Sequence, residues 1–201
     1  MKKILIVLIL FATQLHSIQP VKAQSVTGKI SISGAFALYP LMVRWASEFK
    51  KINPGVKIDI TAGGAGKGMT DVLNNLVDIA MVSRDVYPDE IKKGAVKFAV
   101  AKDAVVPVVS AANPSLAIIL AIGLKKDVAL NIWITGKIKY WVQAFPKASK
   151  AAIHVYTRSD ACGAAEIWAK FFGKKQEDLL GSGVFGDPGL AMAVKKDPLG
   201  I

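Results

Sequence analysis

The chain has one cysteine in 201 residues, so no disulfide can close within it. That cysteine and two histidines, His16 and His154, are too few for a zinc site built on His and Cys. No metal and no cofactor is expected. Aromatic residues make up only 8%, and lysines never run longer than pairs such as Lys50-Lys51 and Lys92-Lys93. A basic tract with interleaved aromatics is therefore lacking, and nucleic acid is not an expected partner. The apolar run Ile4 to Ala12 is shorter than the ~20 residues that span a bilayer. There is no sustained repeat and no low-complexity block. The carboxylates show no pairing that marks acid–base work.

What is present argues for a packed core. The chain is 52% hydrophobic and 20% charged, outside the range of disorder. Its length suits one domain or two small lobes. Lys2 and Lys3 precede the apolar run, and "VKAQ" offers a small-residue cleavage site after Ala23. That is the pattern of a signal peptide over residues 1–23, and it predicts a periplasmic or secreted protein. Formal net charge is +11; Lys2, Lys3 and Lys22 supply three of the 26 cations, leaving 23 against 15 acids, or +8. Such a balance attracts anions in general.

Three strand–loop–helix units follow one another. "GKISIS" (Gly28–Ser33) reads as a strand, then "GAFALYP", then a helix from about Pro40 whose face is Leu41, Met42, Trp45 and Phe49. "VKIDI" (Val56–Ile60) is a second strand, before a glycine loop and a helix with Met69, Val72, Leu73 and Leu76. "AIHVY" (Ala152–Tyr156) is a third, before "TRSDACG" and a helix with Ile167, Trp168, Phe171 and Phe172, stopped at Gly173. Between the second and third units, "KFAVAKDAVVPVVSAANP" (Lys97–Pro114) reads as an extended, β-rich crossover between lobes. Alternating strands and helices predict α/β sheets flanked by helices. In such sheets ligands sit beyond the carboxyl ends of the strands, where helix N-termini offer free N–H groups to an anion.

The glycine loop "TAGGAGKGMTDV" has four glycines in six residues. A P-loop needs Ser or Thr after Gly-Lys, and Gly68 stands there; the position five before Gly66 is Thr61. The spacing Gly64, Gly66, Gly68 also misses the dinucleotide fingerprint. Two readings stay open: a backbone anion cradle with Lys67 nearby, or a loop that needs φ > 0 and close helix–strand packing. Arg158 could grip an oxyanion with two parallel hydrogen bonds, or pair with Asp160. Cys162 could be a nucleophile at a helix start, or simply a small buried residue.

Together these stretches resemble the periplasmic phosphate-binding proteins of bacterial ABC importers, as a divergent member. The resemblance runs from about Ile30 to the C-terminus. It rests on "SGAFALYPLMVRWASEF", "AGGAGKGMTDVLNNLVDIAMVSR", "AVAKDAVVPVV", "ITGKIKYW" and "RSDACGAAEIW". It implies a two-lobed, hinged α/β fold with mixed sheets (lobe 1 at 24–104, crossover and an incomplete lobe 2 at 105–201), a small oxyanion ligand, a membrane ABC permease as partner, and a monomer. It also implies ligand contacts from Ala35, Phe36 and Ala37, from Ala65 and Gly66, from Ser83 and Arg84, and from Arg158, Cys162, Gly163 and Ala164. The family's loops carry hydroxyls where this chain has Ala35, Phe36, Ala65, Cys162 and Ala164. A hydrogen bond to a charged group contributes roughly 1.5–3 kcal/mol, so their loss leaves two ligands open. One is phosphate held by backbone N–H groups and Arg158; the other is a different, partly organic anion. An exported sensor of the same fold is a further alternative, as is a hydrolase using Cys162. Because the family's chains continue past "KKDPLGI", the sequence is expected to be a fragment.

Overall fold

The computed structural model describes residues 26–201, so the signal-peptide reading at 1–23 lies outside the described residues. Strand β1 (Thr27–Gly34) is central in a parallel sheet of order β2-β1-β3, with β2 at Gly55–Ala62 and β3 at Ile79–Met81. Thr27 pairs with Gly55 and the register runs unbroken to Gly34 with Ala62. Parallel neighbours require crossovers. Helix α1 (Tyr39–Ile52) supplies the one from β1 to β2, and α2 (Ala65–Leu73) the one from β2 to β3. Both helices begin within a few residues of a strand's carboxyl end, which gathers their N-termini at one edge of the sheet.

Of the face that spacing suggests for helix α1, Met42 alone turns to the sheet. Leu38, Tyr39 and Met42 pack against Ile32, Ala35, Ala65 and Met81, and Ala46 is buried. Leu41, Trp45 and Phe49 are 37–40% exposed. In α2, Met69 is buried as expected, whereas Leu76 lies beyond the helix and is exposed.

The short helix α3 (Pro88–Lys92) follows β3. The stretch from 95 to 110 then forms no strand, contrary to the β-rich reading. A strand needs a neighbour to receive its N–H groups along its length, and among the described residues only Ser110, at the end of the stretch, donates to a distant backbone carbonyl, that of Gly200 at 3.3 Å. Val96, Phe98, Val100 and Val106 stay more than half exposed.

From 116 on, α4 (Leu116–Ile122), α5 (Lys126–Trp133) and α6 (Trp141–Ala144) enclose a second core. Trp133, Trp141, Phe145, Ile153, Phe172 and Ile201 are its large members. The third strand, β4, is Tyr156–Arg158 and not Ala152–Tyr156. Residues 152–154 are paired only singly: Ala152 faces Tyr140 antiparallel and His154 faces Gly200. Their partners are irregular segments, so no continuous ladder forms there. Strand β5 (Ser182–Val184) lies parallel to β4, with α7 (Gly163–Phe171) between them in sequence and α8 (Asp187–Lys196) after. The fold is α/β and two-lobed, parallel at every named strand pair and antiparallel at the single Tyr140–Ala152 bridge. Among the described residues no helix is long and apolar enough to cross a membrane.

Candidate functional site

The glycine loop is shaped by contacts on both sides. Gly64 sits at φ +94, where L side chains are strained. Its N–H and that of Gly63 both donate to the Gly34 carbonyl, at 3.0 and 2.9 Å. A Cβ on Gly68 would stand 2.6 Å from the Gly34 Cα, so α2 packs directly on β1. Lys67 is not free to meet an anion: its Nζ binds the Asp71 carboxylate, which also accepts from Ser33 Oγ at 2.6 Å. Those two donors hold Asp71 below the usual carboxylate range, Lys67 foremost.

The same loop meets the second lobe. Gly66 N–H donates to the Ala161 carbonyl at 3.1 Å. At the start of α7 the approach is closer: a Cβ on Gly163 would lie 1.9 Å from the Ser83 carbonyl oxygen. Tyr87 Oη donates to Glu166 at 2.5 Å, and Lys170 pairs with Asp85 at 2.7 Å. Burial first, then the Glu166 carboxylate, pushes the Tyr87 phenol up to about 12. The lobes are thus closed on one another.

Between them lies a cavity of about 320 Å³. Of the residues singled out from the sequence, Ala35, Phe36, Ala37, Ala65, Ser83, Arg158, Cys162 and Ala164 line it. Gly66 and Gly163 stand outside the lining, because each is spent on the contact between lobes. Arg84 is outside too. Its guanidinium makes two bonds to Glu90, at 2.9 and 2.7 Å, and stacks on Tyr87 at 4.1 Å. Side-chain partners consume it before a ligand could.

Arg158 is buried at the end of β4. Asp160 accepts from its Nε at 2.9 Å and from its Nη2 at 2.6 Å, and Asp187 accepts from Nη1. Three of its five N–H groups are therefore occupied, and two remain for another partner. The Phe36 ring faces the guanidinium at 5.6 Å. Asp187 has its carboxyl pushed up, by burial first and by the Asp160 and Asp103 charges, with Arg158 opposing.

Cys162 caps α7, its Sγ accepting from Ala165 N–H at 3.4 Å. Burial pushes its thiol up, the wrong direction for a nucleophile. His154 sits instead on Asp197, at 2.7 Å, beside Tyr156 Oη.

Several backbone donors that a count of glycines would offer to an anion are already engaged. Ala35, Gly63, Gly64 and Gly66 donate to carbonyls. The N–H groups of Ala65, Gly163 and Ala164 open their helices, where no carbonyl of a preceding turn can receive them.

Sequence reasoning missed Asp103, Thr157, Trp168 and Asp187, all in the cavity wall. Asp187 was within reach: "GSGVFGDPGL" is a fourth strand–loop–helix unit, with Pro188 in the first helical turn. Asp103 and Trp168 carry no local signal.

Two lobes closed over a cleft, with strand-to-helix loops at its rim, describe a periplasmic-binding-protein fold. A family model described as a PBP superfamily domain matches residues 20–201, and the chain belongs to that superfamily. Among known proteins it is similar to phosphate-binding protein PstS of Bacillus subtilis, 32% identical over 150 residues, covering 74% of this chain and 47% of that one. It is also similar to phosphate-binding protein PstS 2 of Streptococcus pneumoniae, 37% identical over 99 residues, covering 49% of this chain and 34% of the other. A solved Clostridium perfringens substrate-binding protein with bound phosphate matches at a TM-score of 0.74 and 24% identity, over 86% of this chain and 68% of that chain. The chain spans between a third and a half of the length of those two curated relatives.

Proposed function

We propose that the chain is an extracytoplasmic solute-binding protein of an ABC importer, taking phosphate or a related oxyanion in the interlobe cleft. One observation carries this reading: three strand-to-helix loops and the buried Arg158 meet in a single cavity. The two free N–H groups of Arg158, the open N–H groups of Ala65 and Ala164, and Ser83 form its oxyanion end. Helix starts carry the positive end of the dipole, and the charge of +8 beyond the leader draws anions to the surface. Kinship with proteins named for phosphate binding supports the choice of anion. Export through residues 1–23, lobes dividing near 104, a monomeric state and a membrane permease as partner belong to the same reading.

Calorimetry of the chain with phosphate, sulfate, molybdate and small carboxylates tests it. Phosphate should bind, and Arg158→Lys should weaken it by roughly 1.5–3 kcal/mol, because an ammonium keeps the charge but loses the planar fork. Circular dichroism of the variant guards against misfolding. Absence of heat with every oxyanion sinks the reading. Pull-down of a permease, as opposed to a receptor kinase, separates transport from sensing.

A further inference from the structure

The oxyanion end accounts for only part of the cavity. At the ~30 Å³ that a water-sized group takes, an anion with four oxygens fills on the order of 100 Å³. The space is about 320 Å³, at the lower end of pockets that hold organic molecules, roughly 300–1,000 Å³. Its remaining walls are apolar. Trp133, Trp168, Leu179 and Ile201 also belong to, or pack against, the second hydrophobic core. Val106 and Leu190 add to them. The indole N–H of Trp133 is turned to the Tyr156 carbonyl at 3.2 Å, so it does not serve the cavity. An oxyanion oxygen placed against these walls would find no donor, and a polar ligand there would lose its water without return.

The charges lie with the oxyanion end. Arg158 is flanked by Asp160 and Asp187, and Asp103 lines the same cavity. Three carboxylates against one guanidinium leave that end short of positive charge, so a bare multiply charged anion gains little there from Coulomb attraction alone. A ligand that adds apolar contact along the free walls gains what the charges do not supply.

We infer that the cleft selects a monosubstituted phosphorus oxyanion, a phosphonate or phosphate monoester, whose compact apolar substituent lies against Trp168, Leu179 and Val106. The inference rests on the proposed function for its headgroup and extends it by naming the ligand class. Burying apolar surface is favourable in proportion to area, so affinity rises with the substituent until the cavity is full.

The experiment titrates the full chain with inorganic phosphate, methylphosphonate and phenylphosphonate. Phenylphosphonate should bind at least about tenfold more tightly than phosphate, with methylphosphonate between them. Two variants at exposed wall positions report on the substituent: Val106→Gln makes the wall polar, and Ala191→Phe fills the space. Each should cut the phenylphosphonate-to-phosphate affinity ratio by roughly fivefold or more, with unchanged thermal unfolding confirming the fold. Phosphate binding with no gain for phenylphosphonate overturns the inference and leaves the proposed function standing. So does a gain that both variants leave untouched. Failure of all three anions to bind overturns the proposed function itself, and the inference with it.

Discussion

Around β1 the chain is held by its backbone. Eight consecutive residue pairs join β1 to β2, and the buried apolar cluster beneath them is only Ile32, Ala35, Ala65 and Met81. Beyond residue 115 the balance is reversed. Strands β4 and β5 share three pairs, while eleven buried residues, two tryptophans among them, form the core. The first lobe can use small side chains because its loops must let α2 and β1 touch. Ala65 and Gly68 permit that approach, and larger residues would block it. The second lobe has little ladder, so aromatic packing between Trp133, Trp168 and Phe172 carries the load; their rings meet edge to face at 5.3 and 5.0 Å. The cavity between the lobes draws from both: backbone at one end, aromatic wall at the other.

The contrast is broken most severely at Trp141, which is fully buried and stacks on Phe145 at 6.1 Å. Trp141→Ala should cost about 3–5 kcal/mol in urea unfolding. Loss of near-ultraviolet ellipticity should accompany it. A cost no larger than that of a surface change would show that aromatic packing does not hold the second lobe.

Next in size is the seam. Gly163→Ala drives a Cβ into the Ser83 carbonyl, and neither backbone can give way without parting the lobes. The expected destabilisation is about 2–3 kcal/mol, in the upper range for overpacking. Small-angle scattering should show a larger radius of gyration, and phosphate affinity should fall. Unchanged scattering would mean that the lobes are not locked at this glycine.

The smallest expected effect is in the first lobe. Ser33→Ala removes one donor from the buried Asp71 carboxylate and leaves Lys67, a loss of about 1.5 kcal/mol. The folded protein holds Asp71 below the ordinary carboxylate value of 3.8. Its contribution to stability is therefore full above that value and disappears as pH falls through the lower, folded value. Removing Ser33 raises the folded value toward 3.8, so the acid limb of a melting-temperature series should begin at the same pH in the variant but be shallower and end at higher pH. Coincident acid limbs would refute the role of this pair.

Much of the architecture was readable in advance. The period-2 runs at Gly28–Ser33 and Val56–Ile60 became β1 and β2, because both sit in one sheet with regular neighbours. The run at Ala152 gave its strand too early, because it meets only single residues of irregular segments, Tyr140 before it and Gly200 after it. The crossover at 97–114 has β composition but no adjacent strand to pair with. In α1 the periodicity identified a helix correctly and its inward face only at Met42, since Leu41, Trp45 and Phe49 look apolar whether or not anything covers them. At the cavity, the loops were legible from glycine and helix-start patterns, and Arg158 from its place before the third helix. What became of Arg84 and Lys67 was not legible: each is taken up by a carboxylate, Arg84 by Glu90 and Lys67 by Asp71.

By itself, the sequence determined that the glycine loop matches neither the P-loop nor the dinucleotide spacing, that the chain alternates strand and helix, and that its excess charge is positive. Spacing, periodicity and composition are local or additive, so they survive without coordinates. Only the tertiary structure decided how the loop's glycines are used. Gly64 bends the chain, Gly66 donates across the seam and Gly68 lets α2 rest on β1. It also decided that three carboxylates gather near one guanidinium, and that an apolar space extends past them. Both depend on which side chains from distant parts of the chain share a volume, and packing alone settles that.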